Sequence, residues 1–283
     1  MAERAAERGF KYEGLGNDFL LLDRRASGQD ISPRVARALC DRRRGVGADG
    51  VLVLLPSEVA QARMVVHNAD GSVAEMCGNG LRCVVKHLLD GHPTEDALAV
   101  ETGAGVLTSR VHRRDGAVDE VEVELGPARL SARNLPPGPG GGPFREAAVE
   151  GVEWPGTAVN LGNPHLVLLG APPEVVRAHG PRLEHLPGFP ERTNVEAVRR
   201  TPEGLEVAVW ERGAGLTDAC GTGAGAAVVA AQLAGWVKPD VFVPVMLPGG
   251  QLEVRVAADL GRTTLRGPAR FVFSAALPEA LFR

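Results

Sequence analysis

The feature that most restricts how this chain can fold is an internal echo. Leu15-Gly16-Asn17 returns as Leu161-Gly162-Asn163, 146 residues later. Met76-Cys77-Gly78-Asn79-Gly80 returns as Ala219-Cys220-Gly221-Thr222-Gly223 at an offset of 143. Thr102-Gly103-Ala104-Gly105-Val106-Leu107 is answered by Leu247-Pro248-Gly249-Gly250-Gln251-Leu252, with Gly249 lying 146 residues after Gly103. Three words in one order, each offset by about half of the 283 residues, are not explained by glycine abundance. Short periods signal stacked repeats. A period of half the chain predicts two equivalent domains related by a pseudo-twofold axis, and the length allows two. We place the boundary near Gly126, ahead of the Pro/Gly run Pro136–Pro143, which reads as a flexible surface loop or linker. Residues 1–125 then form the first half and 126–267 the second, with a final strand at 268–283 returning to the first.

Local patterns predict a fold of the α/β (α+β) class. Val118–Leu125 and Leu205–Trp210 mix apolar and polar residues at near strand period. Val51–Leu55, Leu166–Leu169, Val241–Met246 and Arg270–Phe273 also read as strands. Helices are few, and two follow the cysteine words. Asn79–Leu89 is stopped by Asp90-Gly91 and Pro93; Gly223–Ala234 is stopped by Gly235. The second is apolar nearly all round and should be buried on every side. Each half is therefore expected to be a mostly antiparallel sheet or barrel wrapped around a central helix.

The balance of charge is −4, which argues against a nucleic-acid partner. No apolar run has the length of a charge-free membrane span, and MAERAAERGF contains no apolar leader core. The four cysteines, Cys40, Cys77, Cys83 and Cys220, form no C-x-x-C, so we expect a reducing cytoplasm. No metal motif stands out, and His179 and His185 read as solvated residues of a Pro-rich loop.

Chemistry concentrates where each half presents a cysteine, then Gly-x-Gly, then a helix. At a helix start, unpaired backbone N–H groups and the macrodipole favour a thiolate. The glycines let a substrate approach those N–H groups, which can hold a carboxylate. Two such motifs facing across a domain cleft suit one reaction. A thiolate takes a proton from carbon, a thiol delivers one to the opposite face, and a stereocentre inverts without a redox cofactor. A single free cysteine is usually a small core residue; Cys40 and Cys83 lack the glycine context and read that way, whereas the matched pair Cys77 and Cys220 reads as functional.

A set of longer words makes the sequence recognisable. These are GLGNDF (Gly14–Phe19), GVGADG (Gly45–Gly50), NADGS-x-x-EMCGNG-x-RC (Asn68–Cys83), LGNPH (Leu161–His165), ERTNV (Glu191–Val195), ERGAG-x-T-x-ACGTGA (Glu211–Ala224) and LPGG (Leu247–Gly250). Together they closely resemble the diaminopimelate epimerases, which interconvert LL- and meso-diaminopimelate without pyridoxal phosphate, on the path to lysine and peptidoglycan precursors. The resemblance implies that Cys77 and Cys220 are the acid–base pair. It implies that Gly78, Asn79, Gly221 and Thr222 offer backbone N–H groups to the reacting carboxylate, and that Asn17, Asn68, Asn163 and Asn194 are polar substrate contacts. Glu211 then faces a substrate ammonium, and Arg212 pairs the distal carboxylate, a task its planar fork suits. His165 and Glu211 would help deprotonate the neighbouring thiols. No cofactor and no metal is implied; the partner is a small molecule, with room for a homodimer. Without that resemblance, the asparagines beside Gly or Asp read as turn residues, Glu211-Arg212 as a solvated pair, and His165 equally as a structural imidazole. Two positions depart from the family pattern: Glu13 stands where a His is usual, and Leu216 where a Glu is common. Gly50, where some members carry Gln, is given no contact.

Rival readings explain less. An epimerase of another amino acid, such as a proline-racemase-like enzyme, shares the fold but typically carries His where Asn79 stands. Gly221–Ala226 fits the dinucleotide pattern G-x-G-x-x-A, with Asp240 beyond. That fingerprint needs a strand directly before it, and Trp210 is too distant. A Cys220–His165 hydrolase leaves Cys77 unexplained. A pyridoxal-phosphate enzyme needs a Schiff-base lysine, and Lys11, Lys86 and Lys238 all lie outside the matched words. A non-catalytic binding protein has no need of both cysteines.

Overall fold

The computed structural model describes residues 7–282. The first six residues, in which a leader was sought, lie outside that range. The fold is mixed α/β, dominated by sheet, with four α-helices among the described residues. The chain divides into two compact units. One holds the described residues up to Val123 with those from Gly267 onward; the other is Glu124–Arg266.

In the first unit, β1 (Glu7–Gly14) and β2 (Asn17–Asp23) form a hairpin. Next come α1 (Pro33–Cys40), β3 (Gly50–Leu55), β4 (Ala62–Asn68) and the two-residue β5 (Val73–Ala74). Then follow α2 (Gly78–Leu89), β6 (Ala97–Thr102), β7 (Gly105–Arg114) and β8 (Ala117–Gly126), whose last residues pass into the second unit. The second unit has β9 (Gly156–Asn160), β10 (Pro164–Leu169), α3 (Glu174–Leu183), β11 (Asn194–Arg200), β12 (Leu205–Glu211) and β13 (Gly215–Thr217). It continues with α4 (Gly221–Leu233), β14 (Val243–Leu247), β15 (Gly250–Val256) and β16 (Thr263–Pro268). The last strand, β17 (Arg270–Leu277), pairs antiparallel with β1.

The two internal orders match strand for strand. β1–β2 and β9–β10 are antiparallel; β2–β3 and β10–β11 are parallel. β3–β4 and β11–β12 are antiparallel; β4–β6 and β12–β14 are parallel. The third repeated word closes equivalent hairpins, with Thr102 opposite Gly105 and Leu247 opposite Gly250.

One helix of each unit lies within the curve of its sheet. Residues Ala224 and Ala226–Ala231 of α4 are at most 1% exposed, and the helix packs on β9, β10, β11, β12 and β15. Its side chains are small and apolar on every face, as such a place requires. In the first unit α2 packs on β1, β2, β4, β7 and β17, and its Leu81, Cys83, Val84 and Val85 are fully buried. The other two helices were not expected from sequence. α1 begins after Ser32, whose Oγ accepts the Val35 N–H, with Pro33 in the first turn. α3 is bracketed by Pro172-Pro173 and contains Pro181, residues that read as loop punctuation. This corrects the placing of His179, which is half-buried within α3; His185 lies just beyond it, exposed. The strand expected at Val241–Met246 starts at Val243, after Asp240 takes a left-handed turn conformation. The Pro136–Pro143 run lies inside the second unit and includes a 3-10 turn at Pro139–Gly141.

The word GVGADG is explained by close approach. Gly45 lies against the end of α1, where a Cβ would fall 2.0 Å from the Ala38 carbonyl oxygen and 2.8 Å from that of Leu39. Backbone oxygens cannot step aside as a flexible side chain does. Gly45→Ala is therefore expected to destabilise the first unit by about 3 kcal/mol, read as an earlier urea transition by far-UV circular dichroism.

Candidate active site

Cys77 and Cys220 occupy the same local geometry. Each is the N-cap of its helix, with extended backbone at φ −142°, ψ 112° and φ −123°, ψ 112°. Each sulfur accepts the N–H of the third helical residue, Gly80 or Gly223, at 3.4 Å. Serine, threonine or an acid normally fills this position. A sulfur here is oriented by the helix and sits beside its unpaired N–H groups. In each unit a short hairpin delivers the cysteine: β5 folds back on the end of β4, and β13 on the end of β12.

In the first unit, Cys77 is half-buried. Asn79 is 3% exposed and donates through Nδ2 to Asn17 Oδ1 at 3.2 Å. Asn17 donates to Asp49 Oδ2 at 2.9 Å, and Arg42 holds both Asp49 and Asp18. Lys11 also pairs with Asp18 and donates to the Gly47 carbonyl. The words GLGNDF and GVGADG are thus joined by one ionic network that reaches the start of α2. Burial works against ionisation of Asp18, but Arg42 and Lys11 outweigh it and hold the carboxyl below its usual range. Arg82, one turn into α2, is wholly buried. It donates to Asn79 Oδ1 at 2.9 Å and to the Pro268 carbonyl at 3.1 Å, and its Nη1 has no partner. Asn68 ends β4 exposed and donates to Ser72 Oγ at 2.9 Å. Gly78 is half-buried in the first turn of α2.

The second unit gathers more of the expected residues. His165 is wholly buried, with Nδ1 2.7 Å from Glu196 Oε1 and Nε2 2.9 Å from Asn163 Oδ1. Asn163 donates to Thr222 Oγ1 at 3.3 Å, and Thr222 Oγ1 lies 3.6 Å from Cys220 Sγ. Gly221 is buried in the first turn of α4. Glu211, half-buried at the end of β12, accepts the Thr217 hydroxyl at 2.6 Å. Asn194 bridges neighbouring segments: its Nδ2 donates to the Pro164 carbonyl, and its Oδ1 accepts the Arg212 N–H, both at 2.9 Å. The Arg212 guanidinium donates to the Glu191 carbonyl at 2.9 Å.

Electrostatically the surroundings of Cys220 are acidic and largely buried. Burial pushes the Cys220 thiol well above its ordinary range, and Glu211 and Glu196 add to the rise; Thr222 and the Gly223 N–H oppose it. Burial likewise raises the carboxyls of Glu211 and Glu196, against the pull of Thr217 on the first and His165 on the second. Cys40 and Cys83 sit in apolar surroundings, where burial pushes them up to about 11 and about 12. Among the described residues no cluster of three or more His, Cys, Asp or Glu is arranged to hold a metal ion, and no helix is long and apolar enough to cross a membrane.

Sequence reasoning missed three buried charges. Glu196 is a lone acid in the apolar strand NVEAV, and that contrast is the available signal. Arg82 stands in the same way between Leu81 and Cys83-Val84-Val85 of α2. Glu184 accepts from Trp210 Nε1, Arg192 and the Gly213 N–H, so it fixes the turn that carries Arg212. Burial opposes its charge, but these donors prevail and hold its carboxyl low. The two departures from the family words are local. Glu13 accepts the Gly16 N–H at 3.1 Å in the β1–β2 turn, and Leu216 is an exposed residue of β13.

Comparison with known proteins agrees with the words found in the sequence. The family described as Diaminopimelate epimerase matches residues 9–131 and 157–272. A diaminopimelate epimerase of Synechococcus sp. (strain JA-2-3B'a(2-13)) is 48% identical, covering 93% of this chain and 95% of the relative. One from Desulfitobacterium hafniense (strain DSM 10664 / DCB-2) is 43% identical, covering 95% and 97%. Among solved structures, a Bacillus anthracis phenazine biosynthesis protein of the PhzF family superposes with a TM-score of 0.71 at 16% identity, over 95% of this chain and 98% of that one. A hydroxyproline epimerase from Agrobacterium vitis gives 0.69 at 17%, over 97% and 92%. These last two share the fold. With the family match running through both halves, and relatives this similar along nearly the whole length, the chain belongs to the diaminopimelate epimerase family.

Proposed function

We propose that this enzyme converts LL-2,6-diaminopimelate to meso-diaminopimelate by a two-base reaction in which Cys77 and Cys220 exchange the roles of base and acid. The observation that carries the reading is the repeated cap: a cysteine at the first turn of each central helix, its sulfur bonded to the third N–H. One thiolate takes the α-proton. The other thiol gives a proton to the opposite face, and the enzyme ends with its two protonation states reversed. The carboxylate beside that carbon is held by the N–H groups at Gly78-Asn79 and Gly221-Thr222, which also stabilise the negative charge that develops. Asn17, Asn68, Asn163 and Asn194 are polar contacts to the substrate. Glu211 faces an ammonium and Arg212 the distal carboxylate, while His165 and Glu211 assist proton exchange at the thiols. The reaction uses no pyridoxal phosphate and belongs to the cytoplasm, where its substrate is a precursor of lysine and peptidoglycan.

The direct test is NMR of LL-diaminopimelate in D₂O with reduced enzyme and no added cofactor. Deuterium at the α-carbon together with meso product is the expected result. Absence of both, with folded protein, rejects the substrate, and proline and histidine are tried next. Cys77→Ala and Cys220→Ala should each lower turnover by about 10³-fold or more; near wild-type rates in either would sink the two-base reading. The pH behaviour of Cys220 follows from its surroundings. A raised thiol stays protonated at neutral pH and ionises only in alkali, so peptide mass spectrometry should find its carboxamidomethylation rising above the ordinary thiol value of about 8.5.

A further inference from the structure

The two units differ at one buried place. In the first, Phe19 on β2 lies opposite Gly50 on β3, and Leu52 is two residues further along β3. A Cβ on Gly80 would meet Leu52 Cδ2 at 2.8 Å. In the second, His165 on β10 lies opposite Asn194 on β11, and Glu196 is two residues further along β11. A Cβ on Gly223 would meet Glu196 Oε1 at 3.0 Å. The register is the same, and so is the turn of helix, the one whose N–H caps the cysteine. Phe19 and Leu52 are buried, so the architecture is satisfied by an apolar pair at this place. A buried imidazole and carboxylate there are costly to desolvate, and an apolar pair of similar volume is often no less stable. Folding alone does not account for the exchange.

We infer that Glu196 is a positioning residue for Cys220. Its carboxylate fixes the His165 ring through Nδ1. The ring fixes Asn163, which donates to Thr222 beside the sulfur. Its buried negative charge also keeps the Cys220 thiol protonated until turnover needs that proton. Glu196 Oε2 has no hydrogen-bond partner, so its second oxygen is not spent on holding the fold together. The ionisable groups acting on Cys220 are Glu211 from β12 and Glu196 from β11, and His165 from β10 is paired with Glu196. β9 carries none; on β15, Glu253 is held by Arg266 and Arg255 lies over the Phe242 ring. The inference rests on the reading in which Cys220 exchanges a proton with substrate.

Glu196→Gln keeps the shape and an acceptor for Nδ1 but removes the charge. Turnover is expected to fall by about 10- to 100-fold with KM changed less than about threefold, the mark of a misplaced catalytic group. The midpoint of Cys220 carboxamidomethylation should move to lower pH by about one unit, because one facing carboxylate is gone. Glu196→Asp, which keeps the charge, should leave the midpoint near wild type. A Glu196→Gln protein with wild-type kcat and midpoint, changed only in melting temperature, overturns the inference. Should Glu196→Gln fail to fold, His165→Phe combined with Glu196→Leu copies the first unit. It is expected to fold and to be inactive; wild-type turnover, or failure to fold, overturns the inference. Wild-type α-proton exchange in D₂O is measured alongside. Its absence defeats the reading of the reaction, whereas its presence with an unaltered Glu196→Gln variant defeats this inference alone.

Discussion

A hydrogen bond from the third N–H of a helix to a cysteine sulfur is the constraint on which the rest depends. It sets where each thiol points, and it can form only if the helix starts immediately after the cysteine. The Gly-x-Gly that follows keeps the first turn bare, so strand side chains pack directly beneath it. The helix behind must be held firmly, and enclosure by sheet does this: small side chains on α4 let the strands come close on all sides. The short hairpins β4–β5 and β12–β13 then bring the chain to the cap at a fixed angle.

The units keep one backbone plan and vary its lining. Strand β4 ends in Asn68 where β12 ends in Glu211, and Gly50 stands where the second unit has Asn194. The first unit builds the Lys11–Asp18–Arg42–Asp49 network, in which Arg42 is exposed and Lys11 buried, and fully buries the Arg82 guanidinium. The second sets buried His165 and Glu196 and half-buried Glu211 around its thiol. A duplicated architecture thereby gives two cysteines of the same local geometry in different electrostatic settings.

Much of this was legible before any coordinate. The echoed words gave both helix starts, read as Asn79 and Gly223 and found at Gly78 and Gly221 because the cysteine itself is the cap. Strand periods found β3, β8, β10, β12 and β17 to within a few residues. Two helices escaped. In α3 Pro172-Pro173 precede its start, where N–H groups go unpaired, and Pro181 falls in its last turn, so each reads in sequence as a helix breaker. In α1 only eight residues carry the pattern, and Ser32-Pro33 was the overlooked signal. The roles of Asn17, Asn163 and Arg212 came from family words rather than physics, since a turn residue and a substrate contact look alike in sequence. Glu196 showed only as a lone acid in an apolar strand, because its meaning lies in a partner 31 residues away.

The pairing of β17 with β1 has a consequence for biosynthesis. β1 is synthesised well before β17, yet one of its edges is satisfied by Arg270–Leu277. While the intervening residues are being made, that edge stays open to other extended chains. The Glu124–Arg266 unit contains all of its own strand partners from β9 to β15, so it can close during translation. Vectorial synthesis thus inverts the usual order: the half made first is the one finished last.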